Sequence, residues 1–172
     1  MPMPQLAMAV AARRSRPSNG FELMRPRREV IAAERKLAAA EVRKVYAELA
    51  SRPASRHCTL LAECCQFQIT GKTPYLTKGE ALVAAQALKA TGRRSLPVRE
   101  DGACPLLDSG TAKCLIYDSR PFGCRTHFCP AAGGPFPRRD VAGFIHTLEE
   151  TARCLGGPDA RPITLAIQEF LE

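Results

Sequence analysis

Apolar residues recur at helical spacing in four stretches of this chain. The clearest is REVIAAERKLAAAEVRKVYAELAS, residues 28–51. Ala38, Val42, Val45 and Leu49 fall on one side of it, with Tyr46 beside them. No Gly or Pro interrupts the run, and Arg52-Pro53 ends it. A second helix is predicted to start at Thr77, where Thr77 and Glu80 have capping-box spacing. It ends before Gly92, with Leu82, Ala85 and Leu88 facing inward. A third runs over 139–155, with Val141, Phe144, Ile145, Leu148, Ala152 and Leu155 on one face and Gly156-Gly157-Pro158 beyond it. A last helix starts near Pro162 and packs with Ile163, Ala166, Ile167 and Phe170.

Elsewhere the periodicity fails. Residues 1–27 are rich in Pro, Arg and Ala and read as a disordered tail, leaving 28–172 as a single helical domain. Residues 93–137 are crowded with Cys, Pro and Gly and read as irregular. So long a loop is uncommon in a compact domain unless something ties it down. Strand candidates are short, around Phe67–Thr70 and Cys114–Tyr117. The expected fold is mainly α, with an irregular cysteine-rich metal-binding centre and at most short β-strands.

Composition changes this picture little. The chain has 172 residues, 45% of them hydrophobic, but no Trp and only 6% aromatics, so its core rests on Ala, Leu, Val and Ile. The net charge of +8 suggests a nucleic-acid partner until it is divided. Residues 1–57 carry 12 Lys and Arg against 5 Asp and Glu, while the remainder is nearly balanced. A solvated helix face plus a basic tail accounts for that surplus. Binding to nucleic acid through the basic segment 13–57 is therefore the less favoured alternative. No stretch reaches the roughly 18 apolar residues of a membrane span. The first residues lack the basic start of a secretory signal. The Ala- and Arg-rich composition suits a bacterial chain, and the cytoplasm is the expected compartment.

The chemistry lies in the cysteines. Seven of eight fall between residues 58 and 129: Cys58, Cys64, Cys65, Cys104, Cys114, Cys124 and Cys129. Thiolates are soft donors for zinc and iron–sulfur clusters, and cytosolic disulfides are rare. The spacing matches neither paired C-x2-C zinc knuckles nor ferredoxin runs, so it points to a metal without naming one. Four ligands suffice for one tetrahedral ion, so seven imply either shared ligands around two ions or some cysteines in supporting roles. Arg120 and Arg125 flank Cys124. They are candidates to lower thiol pKa and to donate hydrogen bonds to thiolate or cluster sulfur, with pairing to Asp118 as the plainer alternative.

The strings Cys104-Pro-Leu-Leu, Cys114-Leu-Ile-Tyr117 and Arg120-Pro-Phe-Gly-Cys124-Arg125, with a vicinal cysteine pair upstream, resemble the YkgJ-like cysteine-cluster family. That resemblance covers residues 58–129 and implies a zinc- or iron-chelating domain. The family's first block reads C-x2-C-x2-C-C, and here Leu61 stands at its second cysteine. His57 is a conceivable substitute ligand.

Other candidates read as structural. Tyr117 is expected in the core, His127 exposed, His146 structural, and Cys154 a small buried apolar residue. Glu63 beside the cysteine pair is weak evidence for a hydrolase. No glycine-rich phosphate loop and no H-E-x-x-H occurs. The sequence therefore predicts a protein that chelates zinc or iron, an iron–sulfur cluster included. The alternatives are a redox or transferase enzyme using such a cluster, and the nucleic-acid-associated zinc protein.

Overall fold

The structure, a computed structural model, describes residues 24–53, 56, 58 and 61–172. The tail expected over 1–27 lies outside it up to residue 23, as does His57. Among the described residues there are six α-helices: α1 (Met24–Ser51), α2 (Phe67–Thr70), α3 (Lys78–Ala90), α4 (Phe122–Thr126), α5 (Arg138–Cys154) and α6 (Ile163–Gln168). Single 3₁₀ turns occur at Glu63–Cys65, Tyr117–Ser119 and Pro130–Ala132. Strands β1 (Tyr75–Leu76) and β2 (Arg161–Pro162) pair antiparallel. The chain is thus mainly α-helical, as its periodicity predicts.

Helix α1 starts four residues earlier than expected. Pro26 falls in its first turn, where an amide N–H has no intrahelical acceptor and a proline costs little. Its predicted stripe is buried: Val42 is fully enclosed, and Ala38, Val45, Tyr46 and Leu49 lie within the core. Two strand expectations are corrected. Phe67–Thr70 forms one helical turn, closed by Gly71 in the left-handed region at φ 63°. Cys114–Tyr117 contributes only a bridge, Leu107 to Cys114, before turning into the 3₁₀ segment. Neither run has the apolar alternation or a partner strand long enough to hold it extended.

Helix α3 is the central wall, packed by α1, α5 and α6. Leu82 and Val83 join a cluster with Val42, Tyr46, Phe144 and Leu148. Ala84, Ala85 and Leu88 join a second cluster with Leu106, Ile116, Ile163 and Ile167 beneath the cysteine loops. At Gly79 the neighbours come so close that an added Cβ would lie 2.9 Å from Val42 Cγ2. Among the described residues no helix is long and apolar enough to cross a membrane.

The long 93–137 stretch is tied in part by its own hydrogen bonds. Arg99 forks onto Asp101 at 2.9 and 2.5 Å and donates to the Leu107 carbonyl at 2.8 Å. Asp108 Oδ1 accepts the Thr111 N–H and hydroxyl, closing the turn between Leu107 and Cys114. The Leu115 N–H donates to the Leu106 carbonyl at 2.8 Å.

Candidate metal centre

Each cysteine block is placed by identifiable contacts. After α1, Arg52 lies over the Phe144 ring at 4.3 Å. Arg56 lies over Phe136 at 4.5 Å and donates to the Gly134 carbonyl at 2.9 Å, which steers the chain back towards residues 129–136. Cys64 and Cys65 occupy the first 3₁₀ turn. The Cys104 N–H donates to the Cys65 carbonyl at 2.8 Å, joining the first block to the second. Cys124 rides on α4, whose Phe122 packs edge-on to Phe144 with centroids 6.2 Å apart.

These contacts gather Cys58, Cys64, Cys65, Cys104, Cys114 and Cys124 around one cavity of about 440 Å³. Its rim carries Lys113, Tyr117, Arg120 and Phe128. Cys129 stands outside this cavity, at a smaller pocket it shares with Cys58, Leu61, Cys64 and His127. No disulfide joins the eight cysteines.

The thiols interact with one another. Cys64, Cys65 and Cys104 form a hydrogen-bonded run, which with burial pushes the Cys64 thiol far up. Cys65 is pushed up to about 12, first by its bond to Cys104. Cys124 also rises to about 12, chiefly by burial and then by the neighbouring Cys65, Cys114 and Cys64. Burial raises Cys114, while Arg120 opposes that rise. Without a cation these groups hold their protons. Among the described residues no three His, Cys, Asp or Glu side chains are grouped as an ion needs.

The two arginines divide their work. Arg120 lies over the Tyr117 ring at 4.2 Å, close enough to lower the Cys64 and Cys114 pKa values. Its Nε is buried and, among the described residues, has no acceptor. Arg125 turns the other way. It donates to the carbonyls of Arg120 and Asp118 and lies over the Tyr46 ring at 4.3 Å. It therefore braces the 118–120 turn through backbone oxygen rather than through the Asp118 carboxylate.

Two further expectations are corrected. Tyr117 is exposed at the cavity rim, because the 3₁₀ turn faces it outward under Arg120. Cys154, in the last turn of α5, is exposed rather than buried. His146 stands on the surface, 3.2 Å from Glu150 one turn on. His127 is exposed, as expected.

The family model CxxCxxCC, described as a "putative zinc- or iron-chelating domain", matches residues 28–141, about two-thirds of the chain. The chain belongs to this family. It is the YkgJ-like family that the cysteine strings resemble, and the match extends past them to include most of α1 and the start of α5. Neither a curated protein nor a solved structure matches the chain. Within the CxxCxxCC frame, Leu61 marks the departure. It is 66% exposed and lies at the small pocket with Cys58, Cys64 and Cys129, where this chain has one thiol fewer.

The residues that sequence reasoning missed are Glu80 and Tyr46. Glu80 is enclosed, and its carboxylate accepts the Phe122 N–H at 2.8 Å and the Tyr46 hydroxyl at 3.5 Å. A signal was present: Glu80 precedes the apolar Val83, Ala84 and Ala87 at helical spacing, a second apolar stripe on the side of the helix away from Leu82, Ala85 and Leu88.

Proposed function

We propose that this CxxCxxCC chain binds zinc or iron through the thiols around the 440 Å³ cavity. The observation that carries this reading is six cysteines on one cavity beside a buried arginine N–H that, among the described residues, lacks an acceptor. The donor set fits a thiophilic cation, because thiolates are soft ligands and a bound cation replaces their protons. Cys64, Cys65, Cys104, Cys114 and Cys124 are the proposed ligands, with Cys58 and Cys129 at the edge towards the smaller pocket. A bound cation supplies charge that holds several thiolates together and polarises whatever reaches its open side.

The protein's own part is positioning and charge balance. Arg120 is the proposed donor to thiolate sulfur through its Nε, and Tyr117 fixes the guanidinium from one side. Arg125 acts one step removed, by holding the turn that carries Arg120. Closing a coordination sphere requires the thiol side chains to turn from one another towards the ion.

A second reading, an iron–sulfur cluster in redox or transferase chemistry, is favoured by the size of the cavity. Its volume lies within the range of small-molecule sites, roughly 300–1,000 Å³, and exceeds what one ion needs. The nucleic-acid reading is weakened by how the basic segment is used. Arg43 bonds Gln86, Arg35 lies over Phe170, and Arg52 and Arg56 anchor the end of α1.

Anaerobic purification followed by metal analysis and an absorption spectrum tests the proposal. At least about one zinc or iron per chain is expected. Acid-labile sulfide alongside a visible sulfur-to-iron band selects the cluster; iron without sulfide, or a colourless zinc protein, selects the single ion. Protein folded at full yield with no transition metal, and taking up none on addition, contradicts the reading.

A further inference from the structure

The capping-box glutamate of α3 does more than cap. Its Oε2 accepts the Thr77 N–H at 3.0 Å and the Thr77 hydroxyl at 2.8 Å, as a capping box requires. Such a residue ordinarily lies at the surface, yet Glu80 is only 4% exposed. Burying a carboxylate is costly unless its lone pairs are used. Here the second oxygen accepts the Phe122 N–H at 2.8 Å, 42 positions on in sequence, and the Tyr46 hydroxyl, 34 positions back. Phe122 opens α4, so its N–H has no acceptor within the helix. Cys124 follows two residues later on the same turn.

The opposite side of this contact is equally tied. The Tyr46 ring lies beneath the Arg125 guanidinium, and Arg125 holds the Asp118 and Arg120 carbonyls. Carboxylate, phenol and guanidinium thus form one stack between α1, α3 and the 118–125 segment. That segment carries both Arg120 and Cys124. We propose that Glu80 is a positioning residue for the metal centre, setting the place of Cys124 through the Phe122 amide. The inference rests on the metal reading above and adds to it the device that links site and scaffold.

The chemistry at Glu80 is selective. Its two oxygens face two backbone N–H donors, Thr77 on one and Phe122 on the other. A glutamine of the same shape must aim its NH2 at one of them. Glu80→Gln therefore sets a donor against a donor, whichever way the amide turns.

The test uses the full chain, stripped of metal and titrated with Co(II). It reads affinity and the thiolate-to-cobalt charge-transfer band, whose intensity follows the number of thiolate ligands. Glu80→Gln is expected to bind Co(II) about ten- to a hundredfold more weakly. It is also expected to lose the same share of band intensity as Cys124→Ser. Thr151→Val serves as the stability control: Thr151 is buried on α5 and its hydroxyl donates to the Thr147 carbonyl at 2.8 Å, while the Cγ2 that faces Gly79 beside Glu80 is kept in valine. It should lower the melting temperature while leaving band and affinity as in the wild type. Wild-type affinity and intensity in Glu80→Gln overturn the inference and leave the metal reading standing. Equal losses in Thr151→Val overturn it as well, by showing a general effect of stability. No band in the wild type removes the metal reading and the inference together. If Glu80→Gln does not fold, Tyr46→Phe removes one donor from the same oxygen. A smaller loss of the same kind is then expected, and an unchanged band overturns the inference.

Discussion

The helical scaffold and the cysteine centre are built on opposite terms. Between α1, α3 and α5 the chain buries Val42, Val83, Phe144 and Leu148 against one another, with few polar groups enclosed. Around the centre the loops lie on the second apolar cluster, with Leu106, Ile116 and Ile163, and are held above it by single hydrogen bonds and side-chain turns. The scaffold gains its stability from apolar area removed from water. The centre encloses thiols that hold their protons without a cation, Cys65 through its bond to Cys104 and Cys124 chiefly through burial. The lesson is that folding and site formation are separable here, joined at Glu80 and Phe122.

The strongest way to break that contrast is to damage the scaffold. Leu148→Ala removes a buried side chain from the cluster of α1, α3 and α5. It is expected to cost about 2–5 kcal/mol. Thermal unfolding should show a similar loss with and without bound metal. A loss confined to the metal-loaded protein would mean that the two regions are not separable.

Damage to the centre should do the reverse. Cys114→Ser and Cys124→Ser are expected to lower metal affinity by at least about tenfold, because one ligand of a small set is lost. The metal-free melting temperature should change little. Cys154→Ser, at an exposed position, should stay within about 0.5 kcal/mol of wild type and keep full metal content. Three variants with indistinguishable metal content would contradict the ligand assignment.

Acidity sharpens the same comparison. Cys65 and Cys124 have their pKa values pushed up to about 12, so both are protonated at neutral pH without metal. Each one that becomes a thiolate ligand must release a proton. Apparent affinity should rise with pH, about tenfold per unit for each proton released. Isothermal titration in buffers of different ionisation enthalpy counts those protons. Zero protons released at pH 7 would exclude these cysteines as ligands.

The smallest effect is expected at the N-terminus. Residues 1–23 precede α1, and they are rich in Pro, Arg and Ala without sustained apolar periodicity. A chain starting at Met24 should bind the same metal per molecule as the full chain, by elemental analysis. A fall would assign those residues to the site.

The scaffold was legible because its signals are local. Helices α1, α3, α5 and α6 follow apolar spacing, and the Thr77–Glu80 box is visible in four residues. The seven-cysteine cluster identified the family and the kind of site, but not which thiols share a cavity. That depends on long-range ties: Arg56 to Gly134, Cys104 to Cys65, Glu80 to Phe122. None of these leaves a periodic mark. Tyr117 and Cys154 were misplaced for a related reason. A single residue in a 3₁₀ turn or at a helix end has too few neighbours in sequence to show which way it faces.

X-ray absorption at the zinc and iron edges of the anaerobically purified chain tests the central claim most directly. A first shell dominated by sulfur is predicted, at about 2.3 Å if the metal is zinc. That shell should lose one scatterer in Cys124→Ser. A shell of oxygen and nitrogen alone, unchanged by that substitution, would contradict the account.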